Sequence, residues 1–127
     1  MPPSEDALLL LRIVERHLRS LRFGLDEEFP AEDWGFTAQQ ALEKLLKCWI
    51  VLANQEPPRS HDLVELAALA EVDLSETLLS LQPFAVEARY RDGEFPLPAR
   101  RELILSNLNE MVRVFRDAAE CIKDQDR

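Results

Sequence analysis

Apolar residues recur along this chain at the three- and four-residue intervals of an α-helix, and no stretch of useful length alternates as a β-strand does. Between Ser4 and Leu21, the residues Ala7, Leu11, Val14, Leu18 and Leu21 fall on one stripe. Ser4 is placed to cap that helix, and Glu5 and Asp6 sit at the positive end of its dipole. A second helix opens at Pro30, whose fixed φ suits a first turn, with Glu32 and Asp33 just behind it. It carries two neighbouring stripes, Ala41, Leu45, Cys48 and Leu52 beside Leu42, Leu46, Trp49 and Ala53. A face that wide touches two partners, so this helix should be central. With Trp49 in the core, Trp49→Ala is expected to cost about 3–5 kcal/mol. Gln55-Glu56-Pro57-Pro58 ends the helix, because the residue before a proline leaves the helical region.

A short helix is expected from Ser60 to Ala70, with Ser60 as its cap, Asp62 in its first turn and Leu63, Leu66 and Ala70 inward. Asp73 and Glu76 have the spacing of a capping box, and Pro83 opens a further short helix reaching Arg89. Asp92-Gly93 reads as a turn and Phe95-Pro96-Leu97-Pro98 as an extended connector. The last helix, Ala99 to Lys123, aligns Ile104, Leu108, Met111, Phe115, Ala118 and Ile122, broadened by Leu105, Val112 and Ala119. Such width could serve a core and a homodimer interface together. The tail from Lys123 to Arg127 is expected to fray. The pattern predicts an all-α fold, an up-and-down bundle of four to five helices forming a single domain over residues 1–127.

Composition narrows the classes of function. With 127 residues and 46% hydrophobic side chains, the chain is long enough for one core and too apolar for global disorder. Its net charge of −9 argues against generic DNA or RNA coating, while leaving room for a local basic spot. Leu8 to Leu11 is the longest leucine run near the start, far short of the roughly 20 apolar residues of a membrane span. A cytoplasmic protein without membrane contact is the expectation. Cys48 and Cys121 are isolated on apolar faces and read as buried free thiols of a reducing compartment. The two histidines, His17 and His61, rule out a multi-histidine zinc site within one chain, and no Gly-rich phosphate loop or nucleophile elbow occurs. No metal and no cofactor are expected.

Three polar groupings carry the candidate chemistry. Gln40, Glu43, Lys44 and Lys47 stand at i, i+3, i+4 and i+7. They form either a solvated face with a Glu43–Lys47 pair worth about 0.2–0.5 kcal/mol, or a patch able to grip a phosphate or fix a partner. Ser60-His61-Asp62-Leu63 opens a helix, where free N–H groups either hold an anion or are simply capped. Within Glu87-Ala88-Arg89-Tyr90-Arg91, Arg89 could fork onto phosphate or carboxylate and Tyr90 could stack or anchor the turn; otherwise Arg89 ties helix ends together.

In order along the chain, Phe36-Thr37-Ala38-Gln39-Gln40-Ala41-Leu42-Glu43-Lys44-Leu45-Leu46-Lys47, then Ser60-His61-Asp62-Leu63, then Pro83-Phe84-Ala85-Val86-Glu87-Ala88-Arg89-Tyr90 resemble the HEPN domain family. Members show a QQAxEKxxK-like helix, a T/S-H-D-L step and a late R-Y-P-like step. The resemblance implies a helical bundle, often dimeric, with a nucleotide- or RNA-linked role. For many small prokaryotic members it also implies a minimal nucleotidyltransferase as partner in a toxin–antitoxin-like pair. Carried over by position, it implies Gln40, Glu43, Lys44, Lys47, His61, Asp62, Arg89 and Tyr90 as ligand-binding residues, and His61 and Arg89 as catalytic candidates.

RNase-active members carry a late Arg-x(4–6)-His motif. Here no histidine follows His61, Arg12 and His17 hold the spacing only on the first helix, and Arg91 replaces the common proline after Tyr90. The expected function is therefore a binding or regulatory module. The alternatives are a metal-independent RNase, with Arg89 or Arg12 stabilising phosphorane charge and His61 or His17 moving the proton, and a purely structural dimerisation module. The binding reading requires Lys44, His61 and Arg89 to converge.

Overall fold

The computed structural model describes residues 3–86 and 95–125, and all regular structure in them is helical. Three long helices dominate: α1 (Pro3–Phe23), α2 (Ala31–Leu52) and α5 (Arg101–Gln125). Between the last two, the described residues form α3 (Leu63–Ala70), α4 (Glu76–Leu79) and a 3-10 turn, Gln82–Ala85. All five core positions assigned to α1 are buried, as are Ala41, Leu42, Leu45, Leu46 and Cys48 on α2.

Helix directions follow from contacts at the ends. The indole Nε1 of Trp34 donates to the carbonyl of Leu21 at 3.0 Å, so α2 turns back on α1. Arg101 opens α5 against the α1–α2 connection, and Arg116 further on meets Glu15, so α5 also runs antiparallel to α1. Trp49 and Phe115, late in their helices, stack edge to face at 4.9 Å. Helices α2 and α5 therefore run the same way, and the segment between them returns the chain to the end of the bundle at which α2 begins. Among the described long helices, α1 runs antiparallel to both α2 and α5.

That return segment is held by close approaches. The ring of Phe84 lies over Gly35, where an added Cβ would come within 2.2 Å of Phe84 Cδ1, so the helix surface must be bare there. Phe84 also meets Phe95 edge to face at 5.0 Å, and Phe95 N–H donates to Glu32 Oε1 at 3.3 Å.

Local chemistry moved several boundaries. Helix α3 begins at Leu63 because Asp62, not Ser60, is its cap: the carboxylate accepts from the N–H groups of Val64 and Glu65. Ser75, not Asp73, caps α4 by accepting from Leu78 N–H. Helix α5 persists through Gln125 instead of fraying from Lys123. Its buried seam is Ile104, Leu105, Leu108, Val112, Phe115 and Ala119, with Met111, Ala118 and Ile122 only half-buried. Trp49 is likewise half-buried, so the 3–5 kcal/mol expected for its removal is too large; Trp34 is the fully enclosed tryptophan. Cys48 is buried, whereas Cys121 is exposed, contrary to expectation, because the α5 seam passes beside it. The turn assigned to Asp92-Gly93 lies outside the described residues.

Candidate functional site

Glu43 is the centre of the polar grouping, and it is not on a solvated face: it is 1% exposed. The reason is position. Glu43 lies on the side of α2 that the segment around His61 covers, so its carboxylate is closed off while its oxygens meet partners. His61 Nδ1 hydrogen-bonds to Glu43 Oε1, and Lys47 Nζ lies 3.7 Å from the same oxygen. Gln40 Nε2 donates to Glu43 Oε2 at 3.1 Å and to Gln39 Oε1 at 2.8 Å. Lys44 Nζ donates to Gln40 Oε1 at 3.4 Å, which completes the chain. A buried carboxylate needs such pairing to stay charged.

The loop that delivers His61 is itself fixed. Gln82 accepts from Leu63 N–H through Oε1 at 2.7 Å and donates through Nε2 to the His61 carbonyl at 3.0 Å. Ser60 Oγ accepts from Asp62 N–H at 3.1 Å and donates to Glu65 Oε2 at 2.9 Å. The N–H groups at the start of α3 are already met, those of Val64 and Glu65 by the carboxylate of Asp62 and that of Leu63 by Gln82. Asp62 is committed to the helix.

The structure thus joins Gln40, Glu43, Lys44, Lys47 and His61 in one network and sets Asp62 beside it as a cap. Arg89 and Tyr90 lie outside the described residues. Sequence reasoning missed two contributors, Gln82 and Gln39, and named His17 only as an alternative proton carrier. Gln82 acts across about twenty residues, and no local pattern marks it. Gln39 was visible as half of a Gln-Gln pair; it is fully buried, and its Nε2 is without a hydrogen-bond partner among the described residues. His17 on α1 lies near enough to Lys44 to feel its charge: burial first, then Lys44 and Arg16, hold its imidazole below the ordinary range.

Chemically, the cluster offers one ammonium group beside a buried carboxylate, a second held through Gln40, and an imidazole whose Nδ1 is held by Glu43 and whose other edge meets solvent, 67% of the side chain being exposed. It fits recognition of an anion, or proton transfer at His61 Nε2. Among the described residues no group of three or more His, Cys, Asp and Glu side chains is arranged to hold a metal ion.

A helical bundle whose central helix carries this Gln-Gln-x-x-Glu-Lys network, closed by a Ser-His-Asp-Leu step, defines a HEPN-type domain. The sequence profile of the HEPN domain matches residues 7–125, and the chain belongs to the HEPN family. No curated protein and no solved structure matches it. No helix among the described residues is long and apolar enough to cross a membrane.

Proposed function

We propose that this HEPN protein is a nucleotide- or RNA-associated binding and regulatory module, a cytoplasmic homodimer that works beside a minimal nucleotidyltransferase in a toxin–antitoxin-like pair. The observation that carries the ligand half is the buried Glu43 carboxylate, which gathers Lys47, His61 and Gln40, and through Gln40 also Lys44. Two cations held in place lose less side-chain entropy on meeting a phosphate than two free ones. Calorimetric titration of ATP, GTP and short RNAs tests it. Heat is expected with the native protein, and the ATP and GTP heats are lost in Lys44→Ala/Lys47→Ala; the absence of heat for every ligand rejects it.

One observation favours a second reading, a metal-independent RNase. A histidine held through Nδ1 by a buried carboxylate has the orientation of a general base, with Nε2 free. In that case RNA cleavage falls in both His61→Ala and Glu43→Gln. Cleavage indifferent to both substitutions removes this reading.

A further inference from the structure

The cations of this acidic chain are segregated. Between residues 12 and 22, α1 carries four arginines, Arg12, Arg16, Arg19 and Arg22, against the single carboxylate of Glu15. Their spacing of four, three and three residues puts them on one exposed stripe about 15 Å long. None of the four has an ion-pair partner among the described residues. The stripe borders a groove of about 300 Å³ between α1 and α5, lined by Glu15, Leu18, Arg19, Arg22, Asn109, Val112, Arg113 and Arg116. Two guanidinium groups on its far wall are already oriented by carboxylates, Arg116 by Glu15 at 2.6 Å and Arg113 by Glu110 and Asp117. Phe23, the last residue of α1, follows Arg22 directly and is 87% exposed.

From this arrangement we infer that the α1–α5 groove binds a single-stranded polynucleotide, its phosphates on Arg19, Arg22 and the outer arginines and a base stacked on Phe23. The surface is distinct from the Glu43–His61 cluster and goes beyond the proposed function. Guanidinium forks match phosphate oxygens two at a time, and all the cations here are arginines. The choice of polynucleotide over a protein follows from the lining. Among the described lining residues the apolar ones, Leu18 and Val112, are buried at the floor, so a docked helix would find Phe23 alone as exposed apolar surface. A phosphate chain needs only the cations, and an exposed ring beside them is the usual platform for a base. The net charge of −9 opposes coating by a polyanion but not a local strip whose charges lie within a Debye length of the phosphates.

Fluorescence anisotropy of a labelled twelve-nucleotide oligouridine RNA with the full chain, at about 50 and 200 mM salt, tests the inference. Binding weakens at least tenfold in Arg19→Ala/Arg22→Ala, and the slope of log affinity against log salt falls by about 1.4, roughly 0.7 for each phosphate no longer neutralised. Phe23→Ala weakens it at least fivefold, which loss of charge alone would not produce. Lys44→Ala/Lys47→Ala leaves it unchanged. No binding at the lower salt overturns the inference, as does binding indifferent to the arginine pair. RNA binding lost only in the lysine pair places RNA on α2, favouring the proposed function and overturning this one. Displacement of the RNA by a poly-glutamate peptide at equal charge concentration overturns it in favour of an acidic protein partner. Nucleotide heats absent while arginine-dependent RNA binding persists rejects only the α2 reading.

Discussion

Glu43, enclosed in the middle of α2, accepts a hydrogen bond from Nδ1 of His61, 18 residues further along the chain. The two ends of this contact are unequal. His61 is 67% exposed and returns to water when the bond is broken, whereas Glu43 also holds Lys47 and Gln40. Glu43→Ala is therefore expected to cost about 2–4 kcal/mol, from charged hydrogen bonds removed together, and His61→Ala only about 1 kcal/mol. Urea denaturation of both variants measures the asymmetry; equal losses would show that Lys47 and Gln40 contribute little.

Arg101 forms a second buried polar centre, opposite in sign. It donates to the carbonyl oxygens of Gly24 at 2.6 Å, Asp26 at 2.7 Å and Phe29 at 2.6 Å, and its guanidinium lies 5.9 Å from the Trp34 ring centre. A single ammonium group cannot span positions served by both Nη1 and Nη2. Arg101→Lys should lower stability by about 2–4 kcal/mol and change the near-ultraviolet circular dichroism of Trp34. An unchanged melting temperature would mean that the α1–α2 connection holds itself.

Gly35 is constrained by Phe84 rather than by its backbone. Because an added methyl would meet the ring at 2.2 Å, Gly35→Ala must push the 3-10 turn away from α2, at about 1–3 kcal/mol. Phe84→Leu in the Gly35→Ala background should recover part of that loss, since the smaller side chain yields the space. Additive losses in the double variant would locate the damage elsewhere.

The two thiols should separate by reactivity. Burial pushes the Cys48 thiol up to about 12, so almost no thiolate exists at neutral pH, and the group is also inaccessible. Ellman's reagent should titrate one thiol, Cys121, in the folded protein and a second only in denaturant. Rapid reaction of both in buffer would contradict the burial of Cys48.

Most of the skeleton could be read from periodicity, and the reasons for each failure are local. The α1 stripe transferred residue for residue because α1 has one apolar face and one surface to cover. On α2 the pattern marked Trp49 as strongly as Leu45, but Trp49 lines a surface cleft with Leu52, Ala70, Val72 and Ile122, and one side of it stays open, which periodicity does not reveal. Asp62 displaced Ser60 as the cap because a carboxylate can accept from two amides in succession, a competition that spacing alone does not decide. In the candidate site, the helical interval correctly grouped Gln40, Glu43, Lys44 and Lys47, yet suggested a solvated face. What buries Glu43 is a loop delivered by Gln82, and a contact closed over that sequence separation leaves no periodic trace.

The stability of the protein in mild acid should depend on His17. Burial, followed by the charges of Lys44 and Arg16, holds its pKa below the ordinary value of about 6.5 to which it returns on unfolding. Between the depressed value and 6.5 the unfolded chain binds more protons, so stability rises with pH through that window and is lost as pH falls through it. Since Lys44 is one of the causes, Lys44→Gln should move the His17 imidazole resonance to titrate at higher pH, while His17→Gln should flatten the acid side of the stability curve. Chemical-shift titration of the imidazole, with urea midpoints at intervals from about pH 7 to 5, reads both effects. A His17 that titrates identically with and without Lys44 would detach α1 from the polar network of α2, and would leave the anion site to residues of α2 and the His61 loop alone.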